Sequence, residues 1–356
     1  MKKTIVHVID SLGRGGAETM LVALLPELNS RYNVILVTLN EDEDFNSEEV
    51  KCYKRYRLNC CTKRSMLKAV FRLNSIIKEH KPGFVRTQLF WSTIIGRLAT
   101  PRGIPFFFSV HSMLTLDAFK SGVFSYWLEK LTYKKRHTLI AVSQVVLEDY
   151  KKAVGIKGPA YVINNFIQPV FFEQSYNFAI KESAPVRIVA VGNLKEAKNY
   201  PFLLNVVALV KNKMDIRVDI IGEGHLRAGL QEFITNNDLP VNLLGKKNNL
   251  YALLPQYDVY IMCSHHEGFG NSPVEAMAVG LPLLLNDSDT MKEMSRGNAL
   301  FYESNNEDSL AMLLINLKNN CEALNRLSGQ GKEISKKYYN RDRYMQQLQN
   351  IYDQQQ

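Results

Sequence analysis

Short apolar runs alternate with longer stretches of helical periodicity along almost the whole chain. The runs at 4–9, 34–39, 106–110, 138–142, 187–191, 218–221 and 259–262 have the length and the β-branched or aromatic enrichment of buried strands. Between them apolar residues recur at helical spacing, as in Met20, Leu21, Leu24, Leu25 and Leu28. A strand–helix–strand rhythm of this kind predicts parallel sheets covered by helices. At 168–186 the rhythm lapses: Pro169 and Pro185 bracket a polar stretch, and a strand pattern restarts at 187. We therefore read an α/β chain of two domains, 1–170 and 171–335. Ile334, Tyr338, Tyr344, Leu348 and Ile351 then predict one closing helix over 332–352, and 336–356 is set apart as a C-terminal element.

Composition narrows the class. The 356 residues are 46% hydrophobic and 22% charged, the balance of an ordinary globular protein. No run of 18 uncharged apolar residues predicts a membrane span. The chain enters its first strand directly after Lys2 and Lys3, without a small-residue cleavage site, so no signal peptide is expected. Five cysteines, at 52, 60, 61, 263 and 321, fit neither a metal spacing nor an even disulfide set. They point to a reducing, cytoplasmic compartment.

Charge is unevenly placed. Residues 1–170 hold 25 basic against 14 acidic residues, whereas 171–356 hold 19 against 21. Within 51–78 nine basic residues, among them Lys51, Lys54, Arg55, Arg57 and Lys68, meet no acidic one. Tyr53, Tyr56, Leu67 and Phe71 are interleaved. A second cluster, Lys130, Lys134, Lys135 and Arg136, follows Phe124-Ser125-Tyr126-Trp127-Leu128. Basic and aromatic residues together suit a nucleic acid or an anionic membrane surface, the plain alternative being a solvated face. No nucleic-acid-binding motif is present, so we expect no nucleic acid partner and a peripheral position on the inner face of the cell membrane.

The segment most informative about chemistry is Glu267 to Pro282. It sets two carboxylates, Glu267 and Glu275, eight positions apart around a loop with Gly268 and Gly270. Ser272 is read as the N-cap of a helix, Pro273 as its first residue and Ser272-x-x-Glu275 as a capping box, with Gly280 and Pro282 ending it. A glycine loop entering a helix start offers backbone N–H groups and the positive end of a dipole to a phosphate. Carboxylates on either side accept hydrogen bonds from hydroxyls. Phosphate flanked by hydroxyls describes a nucleotide sugar. The strand at 259–262 ends just before Ser264-His265-His266-Glu267, where ligands of α/β sheets collect.

This segment resembles the E-x7-E signature of the retaining GT-B glycosyltransferases, in particular family 4. Val189-Ala190-Val191-Gly192-Asn193-Leu194-Lys195-Glu196-Ala197-Lys198-Asn199 is similar to the family's strand–"GRL…KN" element. Ile221-Gly222-Glu223-Gly224 resembles its "GxG" turn, and Gly15-Gly16-Ala17-Glu18 its "GGAE" turn. The stretch from Gly245 to Ser264 resembles its approach to the glutamate loop. The elements appear in the family's order over nearly the whole chain.

The resemblance implies two Rossmann-like domains facing across a cleft, the first binding acceptor and the second nucleotide sugar, with the final helix returning to the first. It implies sugar transfer with retention from a UDP- or GDP-linked donor to a glycan or lipid-linked glycan, in cell-surface polysaccharide synthesis. It implies roles for Glu267 toward the donor sugar, Glu275 toward ribose, and Lys198 toward the diphosphate. His111, after the strand at 106–110, is implied to face the donor sugar. Phe269, Gly270, Asn271, Ser272, Asn193, Gly15 and Gly16 are implied nucleotide-sugar contacts. Asn193 stands where the family usually has an arginine; Lys195 is a candidate to replace part of that charge. Arg227 is placed near the nucleotide.

Other patterns carry less. Gly13-Arg14-Gly15-Gly16 lacks the third glycine of a dinucleotide fingerprint, Glu18 standing in its place. His265-His266-Glu267 lacks metal-site spacing, and Asp287-Ser288-Asp289, which imitates the metal-binding D-x-D of another glycosyltransferase fold, follows the strand at 283–285 in the second domain, where that role is not expected, so no resident metal or other cofactor is expected. Ser143 and Asn164-Asn165 are read as structural turns. An epimerase or phosphorylase on the same fold and a non-catalytic sugar-nucleotide or lipid-binding protein remain the alternatives.

Overall fold

The computed structural model describes residues 2–354 except 14, 61, 62, 121, 175, 177–179, 181 and 182, and at 63 and 64 the backbone only. The chain forms two compact units, Met1–Asn165 with Met345–Gln356, and Phe166–Tyr344.

Unit 1 is built on seven strands: β1 Lys3–Ile9, β2 Tyr32–Thr38, β3 Lys54–Arg57, β4 Phe84–Gln88, β5 Phe106–Val110, β6 His137–Ala141 and β7 Ala160–Val162. They form one sheet in the order β3-β2-β1-β4-β5-β6-β7, every pair parallel. β4, β5 and β6 are buried at every position, as strands covered on both faces must be. Edge strand β3 is polar, with Arg55 and Arg57 both paired to Glu43. Helices Lys63–His80, Phe90–Ala99, Val123–Thr132 and Gln144–Ala153 connect strands that advance in one direction, so right-handed crossovers put them on one face. Helix Gly16–Arg31 runs between strands that advance in the other direction and covers the opposite face. Ser143 caps its helix by accepting from the Val146 N–H at 3.2 Å.

Unit 2 holds β8 Val186–Val191, β9 Ile216–Ile221, β10 Val241–Gly245, β11 Val259–Met262, β12 Leu283–Asn286 and β13 Leu300–Tyr302. Their order is β10-β9-β8-β11-β12-β13, again all parallel. Leu203, Val206 and Val207 of helix Tyr200–Val210 pack with Ile220, Ile261 and Leu284 in its core. In each unit the strand order reverses once, between β1 and β4 and between β8 and β11. Crevices at such reversals, outside the carboxyl ends of the strands, are where open α/β sheets take ligands.

The single helix expected over 332–352 is two helices, Cys321–Tyr338 and Arg341–Gln354. Tyr339 breaks the run by turning inward, its hydroxyl donating to the Met294 carbonyl at 2.7 Å. Asn340 restarts it, its Oδ1 accepting from the Arg343 N–H at 2.8 Å. Both halves keep an apolar stripe, which is why periodicity alone hides the break. The second half packs in unit 1: the Tyr352 ring lies 4.3 Å from Phe84 and 4.8 Å from Phe107, and its hydroxyl accepts from Arg86 Nη1 at 2.9 Å.

Candidate functional site

At the reversal in unit 2 the loop after β8 meets the loop after β11. Gly192 and Leu194 donate to the Ile221 and Glu223 carbonyls, each at 2.9 Å, laying the first loop against the 222–224 turn. A Cβ on Gly222 would stand 2.0 Å from the Gly192 carbonyl oxygen, so this approach requires glycine. The 3₁₀ turn Glu196–Lys198 then carries Lys198 toward the second loop. His265 donates its backbone N–H to the Ala197 carbonyl at 2.9 Å and ties the loops together. Lys198 Nζ donates to Glu267 Oε1 at 2.5 Å, with 15% and 16% of the two side chains exposed. Thr290 Oγ1 donates to the Glu267 carbonyl at 3.2 Å and fixes that residue's backbone.

The helix after Glu267 differs from the sequence reading. It spans Asn271–Val279, with Gly270 at the N-cap in the left-handed region at φ 89°, and no side chain caps it. Ser272 is therefore its second residue, Pro273 its third, and the expected capping box is not formed. Glycine takes the cap because the chain must reverse there with positive φ. Ser272 is used as a pin instead: its hydroxyl donates to the Val191 carbonyl at 3.1 Å and lies 2.8 Å from the Tyr260 hydroxyl. Gly280 ends the helix as expected, at φ 102°.

Released from capping, the Glu275 carboxyl has no hydrogen-bonding or charged partner among the described residues. Burial pushes its pKa up to about 8. Phe269 is an expected nucleotide-sugar contact. It is buried and packs edge-on against Tyr339 at 5.4 Å, leaving its backbone for any contact. Asn193 is exposed, and its carbonyl accepts from the Lys195 N–H at 2.9 Å. Arg227 is engaged by Glu223 at 2.9 Å and by the Leu243 carbonyl at 3.0 Å. Asp287 accepts from the Ser304 N–H and hydroxyl at 3.1 and 2.8 Å, a loop-holding role.

The reversal in unit 1 is chemically different. Gly15 caps helix Gly16–Arg31, and a Cβ on it would stand 2.4 Å from a Glu18 carboxylate oxygen. Arg14, in the sequence fingerprint, lies outside the described residues. Asp10, after β1, accepts from the Ser92 N–H at 2.6 Å across the reversal. Burial raises the pKa of Asp10 and of Glu18. His111, after β5, has both ring nitrogens buried without a partner among the described residues. Burial first, then the nearby Arg86 charge, lowers its pKa to about 3, so the imidazole is neutral at physiological pH. His111 lines a cavity of about 280 Å³ with Asp10, Phe90, Trp91 and Leu114.

Sequence reading missed the supports. Tyr260 sits inside an apolar strand and Thr290 on a neighbouring helix, and only their hydrogen bonds distinguish them. Tyr200, whose hydroxyl donates to the Gly192 carbonyl at 2.9 Å, is equally silent in the sequence.

With fold and site in view, comparison with known proteins is direct. The chain matches Glycosyltransferase Family 4 over residues 14–171 and Glycosyl transferases group 1 over residues 173–334. It belongs to the GT-B glycosyltransferases of family 4 and is an enzyme of that class. A Campylobacter jejuni N-acetylgalactosamine-N,N'-diacetylbacillosaminyl-diphospho-undecaprenol 4-alpha-N-acetylgalactosaminyltransferase is 25% identical over 334 residues, 85% of this chain and 86% of the relative. A second transferase of that organism, named for a PP-undecaprenol-linked GalNAc acceptor, is 25% identical over 286 residues, 77% and 76% of the two chains. Among solved structures, Anabaena HepE in complex with UDP and glucose superposes with a TM-score of 0.83 at 16% identity, covering 99% of both chains. Among the described residues no helix is long and apolar enough to cross a membrane.

Proposed function

We propose that this glycosyltransferase moves a sugar, with retention at the anomeric carbon, from a UDP- or GDP-linked donor to a glycan or lipid-linked glycan in cell-surface polysaccharide synthesis. The observation that carries the reading is the Glu275 carboxyl, which lacks a partner beside the Lys198–Glu267 pair and an uncapped helix start. A carboxyl left this way is matched by ligand hydroxyls, here those of ribose. The N–H groups at Gly270 and Asn271, with Lys198, would stabilise the departing diphosphate. Fixed donors and a lysine supply that charge without a resident metal. Glu267 then exchanges part of its contact with Lys198 for hydroxyls of the donor sugar. His111, neutral, hydrogen-bonds the donor sugar. No side chain is assigned as nucleophile, so the acceptor attacks on the face the diphosphate leaves. Two relatives named for diphospho-undecaprenol substrates support a lipid-linked acceptor. The basic stretches 51–78 and 130–136 would then hold the protein to an anionic membrane surface, a contact weakened by salt.

The test is turnover of a panel of UDP- and GDP-sugars with lipid-linked and free glycan acceptors, with anomeric configuration read by NMR. A product of the same anomeric configuration as the donor, formed by wild type and abolished in Glu267→Ala, is expected. Equal inactivity of both across the panel, or an inverted product, overturns the reading.

A further inference from the structure

The outer surface of unit 1 carries a patch that sugar transfer leaves unused. Helix Val123–Thr132 buries Ser125, Glu129 and Thr132 and leaves Val123, Phe124, Trp127 and Leu131 between 49% and 70% exposed. At about 100° per residue these four fall within about 100° of arc, opposite the buried three. An outward apolar stripe on a helix already packed by its other face marks an interaction surface.

Charge says what covers it. The helix's only acid, Glu129, is turned inward onto Arg97 at 2.8 Å. Lys130 flanks the stripe, with Nζ 5.2 Å from the Tyr126 ring centre and 6.0 Å from that of Trp127. Lys134 and Lys135 follow, exposed. A second copy docked symmetrically would oppose these lysines to one another, whereas anionic headgroups complement them. The neighbouring helices continue the surface. Phe90–Ala99 packs between Val123–Thr132 and Lys63–His80, and the last carries exposed Leu67 and Phe71 amid its basic residues. A chain of ring contacts also leads from the cavity beside His111 to the stripe: Phe90 to Phe119 at 6.4 Å, Phe119 to Tyr126 at 5.5 Å, and Tyr126 to Trp127 at 5.6 Å.

We propose that Val123, Phe124, Trp127 and Leu131 insert into the headgroup boundary of an anionic lipid bilayer, with Lys130, Lys134 and Lys135 against the phosphates. The proposal rests on the membrane reading above and goes further. That reading needs only charge; this one requires an apolar face in the lipid, held beside the cavity mouth. Trp127 suits the role, since its ring is apolar and its N–H polar.

The test uses the full chain with Trp91→Phe, leaving Trp127 as the reporter, and vesicles of phosphatidylcholine with or without phosphatidylglycerol. With phosphatidylglycerol, Trp127 emission should shift to the blue and be quenched by brominated acyl chains. Phe124→Ser with Leu131→Ser should weaken vesicle binding about tenfold or more, while circular dichroism stays that of wild type. Lys134→Glu with Lys135→Glu, which leaves the stripe intact, should also weaken binding and give the remaining binding less salt dependence. Vesicle binding without a Trp127 shift overturns insertion and leaves the charge-only reading standing. No binding at low salt overturns both. A dimer in solution that Trp127→Ser converts to monomer overturns the lipid as occupant.

Discussion

Among the described residues each unit holds one well-buried ion pair, and the two are arranged for opposite ends. In unit 1, Arg97 and Glu129 meet at 2.8 Å with 0% and 2% of their side chains exposed. Tyr150 donates to the same carboxylate, and the Arg97 guanidinium stacks 4.1 Å over Phe108. Nearly every polar atom there is used, and the cluster joins three helices to β5. In unit 2, Lys198 and Glu267 meet at 2.5 Å but keep 15% and 16% exposure, on loops at the sheet reversal. An unpartnered carboxyl lies eight residues further on. The same chemistry serves structure where it is dry and satisfied, and invites a ligand where it stays reachable. The two reversals differ likewise: unit 2 gathers a cation and carboxylates, whereas unit 1 gathers a neutral imidazole and carboxyls that burial favours in their neutral form. Similar topology thus supports different sites, because the loops, not the sheet, carry the chemistry.

The sharpest way to break this comparison is to remove one partner from each pair. Glu129→Ala strands a buried guanidinium and should cost about 3–5 kcal/mol of stability, read by denaturant unfolding. A loss below about 1 kcal/mol would show that the dry pair is not structural. Lys198→Ala should lower turnover by about 10²–10³-fold while the melting temperature moves by less than about 4 °C. The reverse pattern, lost stability with turnover kept, would make both pairs structural.

Smaller effects concern protons. Glu275 has a folded-state pKa raised to about 8 by burial, so ionising it disfavours the native state. The penalty is absent below the ordinary carboxylate range and grows as pH rises, becoming complete above about 8. Glu275→Gln should therefore melt about 3 °C or more above wild type at pH 9, with the gap closing toward pH 4. A constant gap would mean that the carboxyl is not buried as described. For His111 the sign is opposite. Its pKa, lowered to about 3, means that the unfolded chain takes up protons first as pH falls below the ordinary histidine range. His111→Gln should melt closer to wild type at pH 8 than at pH 4, where it should be the more stable. An inflection near pH 6 that disappears from the turnover profile in this variant would show that His111 titrates there.

Much of the fold was legible. Strand-length apolar runs separated by amphipathic stretches led to two parallel-sheet units, since the periods of strand and helix are written into consecutive residues. Glu267, Lys198 and Gly270, named from the sequence as candidates, come together at one reversal, and Gly280 ends the helix as its position suggested. Ser272 was misplaced because serine and proline in sequence suit a helix start whether or not the backbone begins two residues earlier. That the Phe269 ring packs on Tyr339 was not legible, because a loop phenylalanine reads alike whether it faces solvent or the core. The break at Tyr339 was hidden because two apolar stripes that follow one another in sequence mimic one.

What the sequence alone determined is local and periodic: the alternation of elements, the turns that need glycine, and the spacing of Glu267 and Glu275. The tertiary structure decided which groups find partners. Lys198 reaches Glu267 across 69 positions of chain, Ser272 reaches Val191 across 81, and Glu275 finds no partner at all among the described residues. Such pairings depend on how the loops after β8 and β11 are held beside one another by the direct pairing of those two strands, and no spacing within either loop encodes that distance.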